Sequence, residues 1–268
     1  FETESSDRAF EEEVMLSGFG QAPVKSEGAA VSFDTANEAY TARYTHETIA
    51  LAFAITEEAV EDNLYDRLST RYTRALARSM SNTKEVKGAN ILNNAFDSTF
   101  TFGDGKELCA TDHPTVGGGN FRNELTTSAD LNETSLEQSL IDIAAFIDER
   151  GLLVAVQGRK LVIPPALQFV ADRLMASTLR PGTADNDINA IRNMGMLADG
   201  YTVNHYLTDT DAFFIKTDAP NGFKHFERSP VKTSMEGDFD TGNVRYKARE
   251  RYSFGVSDPR CVFGSPGA

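Results

Sequence analysis

The residues with the chemistry to act as catalysts or ligands are few, and their spacing does not assemble a site. His46-Glu47 opens the helical zinc pattern of metalloproteases, in which two histidines four residues apart supply imidazoles and the Glu acts as base. Ala50 stands where the second histidine belongs. Cys109 and His113 have the spacing of half a zinc site, but no second pair exists to complete four ligands. Asp185, Asp187 and Asn189 imitate the first ligands of a calcium loop, yet Ala190 replaces the turn glycine and Met196 the bidentate Glu. Gly117-Gly118-Gly119 lacks the Lys and Ser/Thr that complete a phosphate loop, which leaves a surface turn. No G-x-S-x-G nucleophile elbow occurs. Asp112 beside His113 is the one remaining acid–base pair. It sustains a hydrolase reading only weakly, because no nucleophile or orienting partner accompanies it. No residue is therefore assigned as catalytic, cofactor-binding or metal-ligating, and no cofactor is expected.

Composition narrows the remaining classes. Lys and Arg total 26 and Asp and Glu 40, a formal net charge of −14. That is the wrong sign for a protein that grips phosphates, and it fits a solvated surface that avoids polyanions. The cationic row Arg245, Lys247, Arg249 and Arg251 is expected to face acids on a neighbouring strand and not nucleic acid. Hydrophobic residues make up 40% of the chain, enough for a substantial core. No apolar run approaches the roughly 20 residues that cross a bilayer, so no membrane partner is expected. Cys109 and Cys261 are the 2 cysteines, too few for a disulfide framework; a single bridge between them stays open. The chain opens on Phe1, so an upstream segment, cleaved or outside this stretch, is expected.

The elements that must position these residues read as α+β. Phe10–Phe19 and Tyr40–Ile55 form the arms of an extended hairpin whose Gly-, Pro- and Ser-rich tip, Gly20–Asn37, is too long and featureless to pack on itself. Thr56 caps a helix with Glu57, Glu58, Glu61 and Asp62 at its positive end and Arg71, Arg74 and Arg78 toward its negative end. Its stripe is Val60, Leu64, Leu68, Tyr72, Leu76 and Met80, and a break near Gly88 separates a continuation over Val86–Phe96. Thr134 with Glu137 makes a capping box for a second helix on Leu136, Leu140, Ile143, Ala144 and Ile147, stopped by Gly151. Leu161–Ile163 is a strand, and Pro165 opens a third helix that reaches Thr178. Tyr201–Leu207 and Ala212–Lys216 are strands. A long hairpin then runs from Val231 through the turn Asp240-Thr241-Gly242-Asn243 to Val256, with Asp238 facing Arg245 and Glu236 facing Lys247.

Specific stretches of text resemble a known family. Arg43-Tyr44-Thr45-His46 leading into Ile55-Thr56-Glu57-Glu58 is similar to the passage from extended loop into spine helix in tailed-bacteriophage major capsid proteins of the Hong Kong 97 type. Ser177 to Asn189, Val203 to Ala212 with Phe226-Glu227-Arg228, and Arg249 to Gly255 with Asp258-Pro259-Arg260 resemble that family's central segment, late strands and final strand.

The resemblance implies the Hong Kong 97-like capsid fold: N-arm and extended β-hairpin loop over 1–55, spine helix and peripheral domain over 56–130, axial domain over 131–226, and returning peripheral strands over 227–268. It implies a structural protein, not an enzyme, that self-assembles into hexamers and pentamers of an icosahedral head around double-stranded DNA. The partners it implies are copies of itself, a portal, cement or scaffolding proteins, and DNA held only non-specifically. The place it implies is the virion, assembled in the bacterial cytoplasm. Some relatives lock their shells through Lys–Asn isopeptide bonds; Lys25 lies in the loop tip, but no partner or catalytic acid is identified, and that chemistry is not assigned. A minor decoration or tail protein is the alternative within the virion.

Overall fold

The computed structural model describes residues 1–62, 65–180 and 187–268. In chain order its elements are β1 (Glu2–Ser5), β2 (Phe10–Leu16), β3 (Glu38–Thr45), β4 (Glu47–Ile55), α1 (Glu57–Glu61), α2 (Tyr65–Asn93), β5 (His113–Pro114) and β6 (Asn120–Phe121). There follow α3 (Glu133–Ala144), β7 (Gly158–Ile163), a 3-10 turn (Pro165–Leu167), α4 (Gln168–Ala176), α5 (Ala190–Asn193), β8 (Tyr201–Val203), β9 (Phe213–Thr217), β10 (Phe223–Gly237), β11 (Val244–Val256) and β12 (Val262–Ser265). Contacts divide the chain into two units that each gather distant segments: residues 1–11, 43–88 and 224–255 in one, 12–42, 89–223 and 256–268 in the other. No helix among the described residues is long and apolar enough to cross a membrane.

The first unit is built on a sheet in the order β1-β10-β11-β4. β1 runs parallel to β10, with Glu2 opposite Lys224. β11 runs antiparallel to β4, from Val244 opposite Ile55 to Tyr252 opposite Glu47. The alternation of both strands sorts the faces. Ala248 joins Leu76 and Met80 of α2 in a small core, with Ile49 and Phe53 of β4 packed against it, while Tyr246 stacks on Phe53 with centroids 4.9 Å apart. On the opposite face Arg245, Lys247 and Arg249 stand across from Ala54, Ala52 and Ala50, small residues that leave room for long cationic stems.

The second unit holds a sheet in the order β12-β9-β7-β8. Its strands are apolar at consecutive positions because both faces are covered. Phe213 and Ile215 of β9, Leu161 and Ile163 of β7 and Phe263 of β12 meet Leu136, Leu140 and Ile143 of α3 and Ala171 and Leu174 of α4. Phe214 and Val262 point the other way, into a cluster with Ala95, Leu108, Cys109 and Cys261.

Several expectations are corrected. α2 runs unbroken through Gly88; a Cβ there would lie 3.5 Å from the Phe1 ring and 3.7 Å from that of Phe254, so the glycine admits rings and does not break the helix. The capping box of α3 is Asn132 with Ser135, two residues earlier than Thr134 with Glu137. The arm expected over 40–55 is two strands: β3 pairs with β2, while β4 leaves to join β11. Thr56 does cap α1, accepting from the Ala59 amide. α4 ends at Ala176, short of Thr178, and β8 stops at Val203. Leu64 of the expected stripe lies outside the described residues, as do the side chain of Leu68 and residues 181–186.

The long hairpin is present, with its backbone register two residues from the expected one. The Asp238 amide donates to Asn243 O at 2.8 Å and the Gly242 amide to Asp238 O at 2.9 Å, with Gly242 at φ +68°. This is a bulge in which a left-handed glycine takes an extra place beside Asp238. The side chains still meet diagonally, since the Arg245 guanidinium reaches the Asp238 carboxylate.

Gly222 sets a clear limit on packing in the second unit, because a Cβ there would fall 2.4 Å from Cys261 Cβ and 3.2 Å from its Sγ. Gly222→Ala is expected to lower stability by about 1–3 kcal/mol. Urea unfolding checks it: the midpoint falls while the slope holds.

Candidate functional site: buried polar networks and exposed apolar tips

The residues with catalytic potential are held in closed hydrogen-bond networks. His46 is buried, with Nε2 2.9 Å from Ser6 Oγ and Nδ1 3.0 Å from Ser253 Oγ. Burial, then the nearby Arg251 charge, pull its pKa below the ordinary value. Both ring nitrogens are occupied, and Glu47 pairs instead with Lys87.

His113 is fully buried and belongs to a hub centred on Asn123. The Asn123 amide donates to Leu108 O at 2.7 Å and Pro259 O at 2.9 Å, and its Oδ1 accepts from the Ala110 amide at 2.9 Å. That fixes the orientation of the carboxamide, so His113 Nε2, 3.0 Å from the same Oδ1, is the donor. His113 Nδ1 lies 2.5 Å from Asp104 Oδ2, and the ring stacks on Phe121. Asp112, the other half of the hydrolase pair, is turned to Lys106 at 2.6 Å. The pair is not brought together, and His113 has no nitrogen left for a metal.

Cys109 and Cys261 are both buried and free. Burial pushes both thiols up, away from the reactive thiolate. Asn189 caps α5 and donates to Leu174 O at 2.7 Å, so it is spent on structure; Asp185 lies outside the described residues. Among the described residues no group of three metal-ligating side chains converges. The triple glycine closes a turn in which Thr115 and Gly119 bond each other and the Gly117 amide donates to Glu149 O.

Sequence reasoning missed a second hub. The Arg260 guanidinium is buried, 2.9 Å from Glu149 Oε1 and 3.2 Å from Asp258 Oδ1. It also donates to Ile147 O at 2.7 Å and lies over the Phe121 ring at 4.1 Å. Burial works against its charge, but the Asp258 and Glu149 carboxylates outweigh it and hold the pKa above the ordinary value. The Asp258-Pro259-Arg260 text is visible in the sequence; Glu149, 111 residues away, is not flagged by any local pattern.

Several large apolar side chains stand bare on the described surface. In the long connection between β2 and β3, Val24 is 99% and Phe33 97% exposed; at the turn between β10 and β11, Phe239 is 101% exposed. These are large apolar groups left uncovered by the rest of the described chain.

Comparison with known proteins agrees with that geometry. The model of the family described as phage capsid protein matches residues 39–264. Solved structures share the fold over nearly the whole chain. The capsid of the cyanophage P-SCSP1u matches with a TM-score of 0.61 at 13% identity, covering 99% of this chain and 85% of that one. The capsid of the Myoviridae phage XM1 matches at 0.59 and 10%, covering 98% and 89%. The capsid of an empty GTA particle matches at 0.57 and 12%, covering 99% and 87%. The search of curated proteins found no match. The fold shared with these capsid structures is the Hong Kong 97-like one expected above. The chain belongs to the phage capsid protein family, as a major capsid protein of the virion.

Two measurements test the buried chemistry. Arg260→Ala leaves Glu149 and Asp258 without their cation and is expected to cost about 3–5 kcal/mol in unfolding experiments. Glu124 is half-buried, and burial followed by the Glu107 carboxylate pushes it up to about 7, with His113 working the other way. The folded state then binds a proton that the unfolded state has released, so this contribution is present below about pH 4.5 and fades as pH rises through about 7. Glu124→Gln should flatten the fall in melting temperature over that window; an unchanged slope would place the titration elsewhere.

Proposed function

We propose that this chain is the principal building block of an icosahedral head, packing into hexamers and pentamers that enclose double-stranded DNA. The observation that carries the reading is the conjunction of a capsid fold over nearly the full chain with a connection, Gly20–Asn37, whose apolar tip is exposed. On this reading residues 1–55 are the N-arm and extended loop, and the strands and long helix of the first unit belong to the peripheral domain. The part of the second unit over 131–226 is the axial domain. Each extended loop lies across a neighbour and covers there what is bare on one subunit. Single contacts of this kind are weak, but a closed lattice repeats them in every copy.

The partners are copies of the chain, a portal, and cement or scaffolding proteins. The net charge of −14 favours loose, non-specific accommodation of DNA over tight binding. Assembly takes place in the host cytoplasm, and the protein's role is mechanical, without catalysis. His46 and His113 have both ring nitrogens engaged and the two cysteines are buried, which supports that last point.

Removal of Gly20–Asn37 with a short glycine-serine bridge is the direct test. The variant should retain the parent's circular dichroism and melting temperature within a few degrees, and electron microscopy should find no closed shells. Normal particles from it would take the loop out of assembly.

A further inference from the structure

The connection between β2 and β3 is tethered at one place beyond its base. Ser17 and Asn37 close the base, with the Ser17 amide on Asn37 O at 2.8 Å and the Asn37 amide on Ser17 Oγ at 2.9 Å. Farther out, Asp34 gathers three donors. Its carboxylate accepts the Gly20 and Thr35 amides, each at 2.8 Å, and the Arg150 guanidinium at 3.1 and 3.2 Å. Gly20 lies against both partners, a Cβ there standing at ordinary contact distance, 3.4 Å from Asp34 Oδ2 and 3.5 Å from Arg150 Nη2. Past this point residues 21–33 are exposed throughout.

Arg150 is itself on a braced turn. Asp148 Oδ1 accepts the Arg150 amide at 2.8 Å and the Leu152 amide at 2.7 Å, and Gly151 turns the chain at φ +82°. The preceding residue, Glu149, accepts the Gly117 amide on its carbonyl and the buried Arg260 on its carboxylate. The connection thus meets this braced turn through one guanidinium, whose Nη2 reaches both oxygens of Asp34.

We propose that Arg150 is the positioning residue that aims the tip of this connection, so that Val24, Val31 and Phe33 are presented to a second copy of the chain in one fixed direction. The proposal rests on the reading of Gly20–Asn37 as an assembly element. Its physical basis is preorganisation: a tip already aimed loses less conformational freedom on docking than a free one. An exposed ion pair contributes little to the stability of the fold itself, so its loss should be felt in assembly and not in melting.

The test separates the two steps. Spin labels are placed at Glu27→Cys and Ser128→Cys in the full chain, where Cys109 and Cys261 are buried and do not compete. The distance distribution is measured in the unassembled protein, and shell formation is followed by light scattering. Arg150→Gln and Asp34→Asn, which keeps an acceptor for the Gly20 amide, should each broaden the distribution. Each should also slow shell formation by about tenfold, a small per-copy effect compounded over the several copies of a nucleus. The double variant should be no slower than either single one, because both remove the same contact. Arg150→Lys should recover much of the parent's rate, and melting temperatures should stay together. An unchanged distribution, or additive slowing in the double variant, overturns the proposal. A broadened distribution with parental shell formation overturns it too, and leaves the assembly role of the connection to the deletion test.

Discussion

A charge buried beside Phe121 organises much of the second unit. Taking a guanidinium out of water costs several kcal/mol unless its donors are met and its charge is balanced. Arg260 is met by Glu149, Asp258 and the Ile147 carbonyl, and its flat face rests on Phe121. Those partners come from three stretches of chain, so one side chain fixes the turn after α3, the β5–β6 ribbon and the entry to β12. The same Phe121 stacks on His113, which carries the register to the Asn123 hub. The loop region over 103–123 contains little regular structure, and polar bonds directed by these two hubs stand in for it.

This explains why groups typical of enzymes occur without an enzyme's site. A catalytic acid or base must keep a free position facing a cleft. His46 has a serine hydroxyl on each nitrogen, and His113 has Asn123 on one and Asp104 on the other. Histidine is used here as a two-ended fastener between segments far apart in sequence. Ser253 lies on β11 and Ser6 just past the end of β1, and Asp104 and Asn123 flank opposite ends of an irregular stretch. A subunit that serves by keeping its shape draws on the directionality of these bonds and has no use for their acidity.

Much of the fold was legible because local rules governed it. The cap at Thr56, the amphipathic pattern of α3 and the two-sided pattern of the β10–β11 hairpin all follow from neighbours in sequence. The hairpin register was not legible, for a physical reason: a shift of two residues returns every side chain to its own face, so the pattern of Val231, Thr233 and Met235 is satisfied equally by either alignment. The left-handed Gly242 decided between them. Gly88 misled in a similar way. Glycine weakens an isolated helix by about 1 kcal/mol, but here the helix continues through it with the rings of Phe1 and Phe254 lying alongside. Asn123 and Arg260 look ordinary in the text, because their partners are set by tertiary structure alone. Asp34 and Arg150 are separated by 116 residues and share no motif.

The surface then poses a balance between repulsion and adhesion. A net charge of −14 makes copies repel at long range, while Val24, Phe33 and Phe239 carry adhesive groups at projecting tips. At physiological salt the repulsion is screened beyond about 8 Å, so it acts as a weak general barrier, whereas apolar contact acts only where shapes meet. Apolar groups carried on these tips favour a few geometries over indiscriminate clumping, because a tip must find a particular surface to be covered. Directional control of those tips therefore matters more than their affinity. In this chain that control falls to a tight bulge at Gly242 in the hairpin and to a single guanidinium beside Gly20 in the long connection.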